Sequence, residues 1–266
     1  MTTDLYNASR AAEQAAYAAG AHLQASRSRL SATMITHEAP HAVAAAIARE
    51  ARSLVSEVVR GRFPEHALVG DPADAQREAD GHAGRAHWVV EPIDGLVNYL
   101  RGYPQYAVSI ALIEAGEPQV GVVYDPCRNE FFGAIRGHGA VFNGQPMRCA
   151  QPHPPSEALV ATVFPGQGSP RMRDYIAEFG RVVRGFGGVR RSGSLGLELA
   201  YLSAGRIDAF WHNELALREA AAGAVLLRES GALLCPRDGH PALECGSLLA
   251  CTPSLYEPFL SVLVEG

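Results

Sequence analysis

Between residues 4 and 25, Leu5, Ala8, Ala11, Ala12, Ala15, Ala16, Ala19 and Leu23 fall at helical spacing. The repeated residue is small, so the pattern predicts a helix packed closely on something flat. Val43, Ala46, Ile47, Ala51, Leu54, Val55 and Val58 repeat the period from His41 to Arg62 and stop at Phe63-Pro64. The polar stretch 26–40 between these helices predicts a loop or a short irregular strand. Next, Ala67-Leu68-Val69 leads into Gly70-Asp71-Pro72, a short strand ending on an acid, and residues 73–86 predict an exposed loop.

Strand-like runs follow at Ala107–Ile113, Gln119–Tyr124 and Glu130–Ile135, separated by turn compositions around Gly116-Glu117-Pro118 and Asp125–Asn129. Asn143-Gly144 is a strong hairpin signal, so the natural reading is an antiparallel meander. Residues 151–157 read as a linker. They divide the chain into an N-terminal α+β half, 1–150, and a C-terminal α/β half, 151–266, expected to form one compact unit. In the second half, strands are predicted at Ala158–Phe164 and Asp208–Trp211, with a strand-loop at Arg184–Ser192. Helices are predicted near 170–180, at Ser194–Ala204 and at Leu217–Ser230, the last capped by Gly231.

The most informative stretch is Trp88-Val89-Val90-Glu91-Pro92-Ile93-Asp94-Gly95-Leu96-Val97-Asn98. A buried strand ends in this way when it delivers acids to a loop that opens a helix. Pro92 fixes the backbone between two carboxylates, which lets Glu91 and Asp94 converge on one cation. Gly95 leaves room for the following N–H groups to approach an anion. Acids, cation and anion cradle together suit phosphate-ester chemistry.

Composition narrows the class. With 266 residues, 47% hydrophobic and 19% charged, the chain is long enough for a large globular core. A net charge of −5 argues against a dedicated nucleic-acid binder. No 18-residue apolar run is present, so no membrane span is expected, and Met1–Gly20 does not read as a signal peptide. Cys127, Cys149, Cys235, Cys245 and Cys251 lack C-x-x-C spacing and read as reduced, mostly buried thiols of a cytoplasmic protein.

The stretch from Trp88 to Asn98 resembles the signature of the inositol monophosphatase family, W-[IV]-[IV]-D-P-[IL]-D-G-T-T-N. The resemblance continues through Val122–Pro126, Arg136–Ala140, Arg190–Ser194, Leu199–Tyr201, Gly205–Asp208 and Ala221–Gly231. It implies a layered α-β-α-β-α sandwich of the inositol monophosphatase and sugar phosphatase type. It also implies a Mg²⁺-dependent phosphomonoesterase acting on a small phosphorylated polyol or sugar-like metabolite, often as a homodimer. Carried over residue by residue, the metal ligands are Asp71, Glu91, the Ile93 carbonyl, Asp94 and Glu219, with Asp71, Glu91 and Asp94 as the catalytic acids. Phosphate is implied on the N–H groups of Gly95 and Leu96, and substrate hydroxyls near Ser194, Leu195 and His212. Arg190-Arg191 matches a segment near the family's subunit interface, which favours a structural role. Some bacterial relatives associate with transcription machinery, so a protein or RNA partner is implied by analogy alone.

Several positions depart from the pattern. Family Glu is Asp71, family Asp is Glu91 and Glu219, and only Asp94 is unchanged, so three carboxylates are each displaced by one methylene. Leu96 replaces the Thr that helps position water, Ala48 falls near its Asp partner with Arg49 and Glu50 beside it, and Pro72 replaces a Glu. Loss of such positioners is expected to weaken hydrolysis by about a few kcal/mol of barrier. Glu219 is either a ligand or a first-turn acid favoured by the helix dipole. Arg218 is either a surface charge or a guanidinium standing in for a cation beside Glu91 or Asp94. Three readings stay open: a diverged phosphatase, an inactive fold kept as a binding or regulatory module, and a pocket repurposed for other chemistry.

Overall fold

Every alanine of the stripe that predicts a closely packed first helix is inaccessible to solvent. That helix, α1 (Leu5–Ala25), is capped by Asp4, whose carboxylate accepts from the N–H groups of Tyr6 and Asn7. The computed structural model describes residues 3–30, 40–69, 85–151, 153–166, 168–215, 217–235 and 246–264. The further helices are α2 (Pro40–Arg62), α3 (Leu96–Arg101), α4 (Met172–Gly185), α5 (Leu195–Ser203), α6 (Leu217–Ser230) and α7 (Tyr256–Val264).

The first sheet has seven strands in sequence order: β1 (Ala67–Leu68), β2 (His87–Asp94), β3 (Ala107–Glu114), β4 (Glu117–Asp125), β5 (Glu130–Ile135), β6 (Gly139–Phe142) and β7 (Gln145–Met147). Strands β2 to β7 are the expected antiparallel meander, and β1 joins β2 in parallel. The second sheet is built from β8 (Leu159–Thr162), β9 (Gly188–Arg190), β10 (Ala209–His212), β11 (Leu233–Cys235) and β12 (Leu248–Cys251), in the order β11-β12-β10-β8-β9.

Helices α1 and α2 bury their apolar stripes on one face of the first sheet, around Trp88, Ile110, Val122 and Tyr124. Its other face meets α5 and α6 through Val89, Ala111, Val123, Leu197, Ala222 and Val225. The far sides of α5 and α6 then pack Leu199, Leu202 and Leu227 on Phe210 and Ala161 of the second sheet. Helices α4 and α7 close the last face with Tyr175, Val182 and Phe259 against Trp211. The result is the layered α-β-α-β-α sandwich. Trp88 and Trp211 are both fully buried, and truncating a core aromatic of this kind costs roughly 3–5 kcal/mol.

Two local expectations change. Residues 27–30 are helical rather than loop or strand, and 31–39 lie outside the described residues. Beyond Gly231 the hydrophobic pattern names no element, yet β11, β12 and α7 lie there. β12 is only four residues long, and an apolar run that short carries no period of its own. Among the described residues no helix is long and apolar enough to cross a membrane. Cys127, Cys149 and Cys235 are free and half-buried and Cys251 is free and buried; Cys245 lies outside the described residues.

Candidate active site

The sequence from Trp88 to Asp94 does not end in a loop, because β2 runs through both acids. Glu91 pairs with Ser109 and Asp94 with Ala107, so the register shifts between them. Pro92 lies inside that shift and has no N–H to give the ladder, which is where a bulge is favoured. The irregularity reverses the alternation of the strand, so Val90 and Ile93, three residues apart, lie in the same core. Half-buried Glu91 lines one cavity together with Ala48, Arg49, Arg52 and Val69. Ile93 is buried among the residues that face α1 and α2. Asp94 turns toward the second sheet and the start of α5.

There Asp94 is held tightly. Its Oδ2 accepts from the Ser194 hydroxyl at 2.5 Å and from the Gly196 N–H at 2.7 Å, while Oδ1 accepts from the Leu195 N–H at 3.1 Å. Ser194 is the N-cap of α5, so the carboxylate sits at the positive end of that helix. A Cβ on Gly196 would lie 3.0 Å from Asp94 Oδ2, so the close approach depends on glycine. Burial is the strongest influence on the carboxyl and raises its pKa to about 7. The hydrogen bonds from Ser194 and the Gly196 and Leu195 amides oppose that rise, and the charge of Glu91 adds to it.

Asp94 opens onto a cleft of about 380 Å³ that Gly95, Leu96, Leu195, His212 and Glu219 also line. Gly95 is left-handed at φ 90°, and a side chain there would meet the Gln105 carbonyl at 2.9 Å. Asn98 spans the two sheets' loops by donating from Nδ2 to the carbonyls of Gln105, at 2.7 Å, and Ser192, at 2.8 Å. Glu219 enters the cleft from the first turn of α6. Val163, Phe164, His212 and Glu214 line it too. His212 terminates β10 and bonds through Nδ1 to the Val163 carbonyl at 2.9 Å.

Of the residues that sequence reasoning singles out, Asp94, Gly95, Leu96, Leu195, His212 and Glu219 share one cleft, and Ser194 supports it from behind. Glu91 lines the neighbouring cavity and acts on Asp94 through its charge. Asp71, Pro72 and the side chain of Arg218 lie outside the described residues. Glu50 points away, bonded to Arg29 at 2.6 and 3.1 Å and to His22 at 3.0 Å.

Two charged residues to which the motif does not point also line the cleft. Arg191, read as structural, reaches the cleft with its guanidinium 4.4 Å above the Phe164 ring. Glu214 also lines it, accepting from the Ser169 hydroxyl at 2.5 Å and the Gly166 N–H at 3.3 Å. Only the general tendency of charged residues to cluster at functional clefts could have pointed to them.

The donors suit a hard cation. Asp94 and Glu219 present oxygen ligands to one cleft, and Oδ1 of Asp94 accepts a single hydrogen bond, leaving a lone pair. Mg²⁺ is commonly held by one or two carboxylates and completed by substrate phosphate and water. Among the described residues no three His, Cys, Asp or Glu side chains come together as a ready-made cage.

Comparison with known proteins follows the same line. The profile of the inositol monophosphatase family matches residues 4–265. The Nus factor SuhB of Pasteurella multocida is 33% identical over 216 residues, 81% of this chain and 80% of that protein. The inositol-1-monophosphatase of Rhizobium meliloti is 32% identical over 237 residues, 89% of this chain and 88% of that protein. The solved structure of inositol monophosphatase from Anabaena superposes with a TM-score of 0.82 at 30% identity, covering 99% of this chain and 97% of that one.

Proposed function

Since the chain belongs to the inositol monophosphatase family, whose members generally use Mg²⁺, we propose that it is a diverged phosphomonoesterase cleaving a small phosphorylated polyol or sugar-like metabolite. The observation that carries this reading is the buried Asp94 carboxylate, fixed by three hydrogen bonds at the mouth of a cleft that Glu219 also enters. Asp94 and Glu219 would hold Mg²⁺, with Glu91, the Ile93 carbonyl and Asp71 as the further ligands implied by the resemblance. When bound, the cation supplies charge that offsets what builds up on the phosphoryl oxygens.

The chain's own residues do the rest. The N–H groups of Gly95 and Leu96 receive the phosphoryl group, and Arg191 adds a cation at the cleft wall. Leu195 and His212 bound the space for the organic part, with Ser194 behind it. Leu96 offers no hydroxyl to aim water, so turnover is expected to be weak. As in many family members, the working unit is proposed to be a homodimer.

The test is release of inorganic phosphate from a panel of inositol, sugar and glycerol phosphates with Mg²⁺ titrated, alongside calorimetry of Mg²⁺ binding. Mg²⁺-dependent release supports the reading. Absence of both release and binding heat removes it.

A second reading, a binding or regulatory module without turnover, is favoured by Leu96 at the water-positioning place and by relatives named Nus factor. On that reading the partner is transcription machinery. Capture of transcription components by the immobilised chain, together with no phosphate release, supports it.

A further inference from the structure

His212 lines the cleft, and its one hydrogen bond among the described residues runs from Nδ1 to the Val163 carbonyl. A carbonyl only accepts, so the proton of that bond belongs to Nδ1. The ring is therefore locked in orientation, and Nε2 is the nitrogen left to exchange a proton with a bound molecule. His212 is itself 6% exposed, so the ring is held by its surroundings rather than swinging in solvent.

Its placement fits one part of a phosphate ester. Asp94 and Glu219, which the phosphomonoesterase reading gives to cation and phosphoryl group, line the same cleft. Val163 and Phe164, the wall against which His212 is fixed, are apolar and face the organic part. On that reading the oxygen joining the two parts lies in the cleft that His212 shares with the acids. On the same reading Asp94 and Glu219 are taken by the cation. Arg191 does not release its proton, and both oxygens of Glu214 already accept from Gly166 and Ser169.

We propose that His212 is the acid of the reaction, with Nε2–H protonating the departing alcohol oxygen. This rests on the phosphomonoesterase reading. Water oxygen bonds to phosphorus while the ester P–O bond breaks, its electron pair passing to the alcohol oxygen. That oxygen takes the His212 proton. The proton lost by the attacking water returns to the imidazole through solvent, so ester and water become alcohol and monohydrogen phosphate.

The experiment compares two esters in the full-length protein with Mg²⁺: glycerol 2-phosphate, whose alkoxide must be protonated, and 4-nitrophenyl phosphate, whose phenolate leaves without help. His212→Asn is the variant, because its amide N–H can still donate to the Val163 carbonyl while Nε2 is gone. The expected loss in kcat is about 100-fold or more on the alkyl ester and less than about tenfold on the aryl ester, with KM changed little. Equal losses on the two esters overturn the role of His212 and leave the phosphatase reading standing. Phosphate release from neither ester by the unmodified protein overturns both. A readout independent of turnover is ¹⁵N NMR of the neutral ring: a proton on Nδ1 supports the assignment, and one on Nε2 overturns it.

Discussion

The Ser194 hydroxyl donates to the Asp94 carboxylate at 2.5 Å across 100 residues of sequence, and the same hydroxyl accepts from the Leu197 N–H at 3.4 Å. One side chain thus caps α5 and fixes the acid at the cleft, joining the first sheet to the helix layer. Ser194→Ala removes both bonds in a fully buried setting, so a loss of about 1–3 kcal/mol is expected. Urea unfolding measures it. A change below about 0.5 kcal/mol would mean that the hydroxyl contributes little to the junction.

Asn98 makes a second junction through a single nitrogen shared by two carbonyls. Asn98→Ala leaves both acceptors without that donor and is expected to cost about 1–3 kcal/mol. Asn98→Asp keeps the shape but sets a carboxylate against two carbonyl oxygens. It should destabilise at least as much as alanine, by the same unfolding measurement. An aspartate variant as stable as the unmodified protein would contradict the donor role.

His153 supplies a pH-dependent tie. Its Nδ1 bonds to the Gln151 carbonyl at 2.7 Å and its Nε2 lies 3.1 Å from Asp208 Oδ1. The Gln151 carbonyl first, and the Asp208 carboxylate with it, raise the pKa of the imidazole above its ordinary value. Folding therefore favours the imidazolium. The stabilisation is fully present below about pH 6.5, the unfolded value, and fades as pH rises through the raised folded value. The gap in urea midpoint between the unmodified protein and His153→Ala should be largest near pH 5–6 and shrink toward pH 8–9. A gap that widens with pH would reverse the sign of this linkage.

What the sequence made legible was local. The alanine stripe of α1 and the turns of the β3–β7 meander each follow from spacing within a few residues, and both are found as expected. The motif also drew attention to Asp94 and Gly95, and both line the cleft. The bulge at Pro92 was not legible: it shifts the register by one residue, so Val90 and Ile93 both lie beneath α1 and α2, while Asp94 reaches α5 and feels the charge of Glu91. Arg191 and Glu214 were obscure for another reason. Their chemistry depends on Phe164, Gly166 and Ser169, which lie more than a helix length away in sequence and share no periodic pattern with them. β12 was hidden by brevity, since four apolar residues fit strand or helix alike.

Whether Asp94 and Glu219 form a working Mg²⁺ phosphatase cleft is decided by inorganic phosphate released from inositol 1-phosphate as Mg²⁺ is titrated, for the unmodified protein and for Asp94→Asn. Saturable, Mg²⁺-dependent release is expected, falling by about 100-fold or more in the variant. Release that is independent of Mg²⁺, or undiminished by Asp94→Asn, would contradict it.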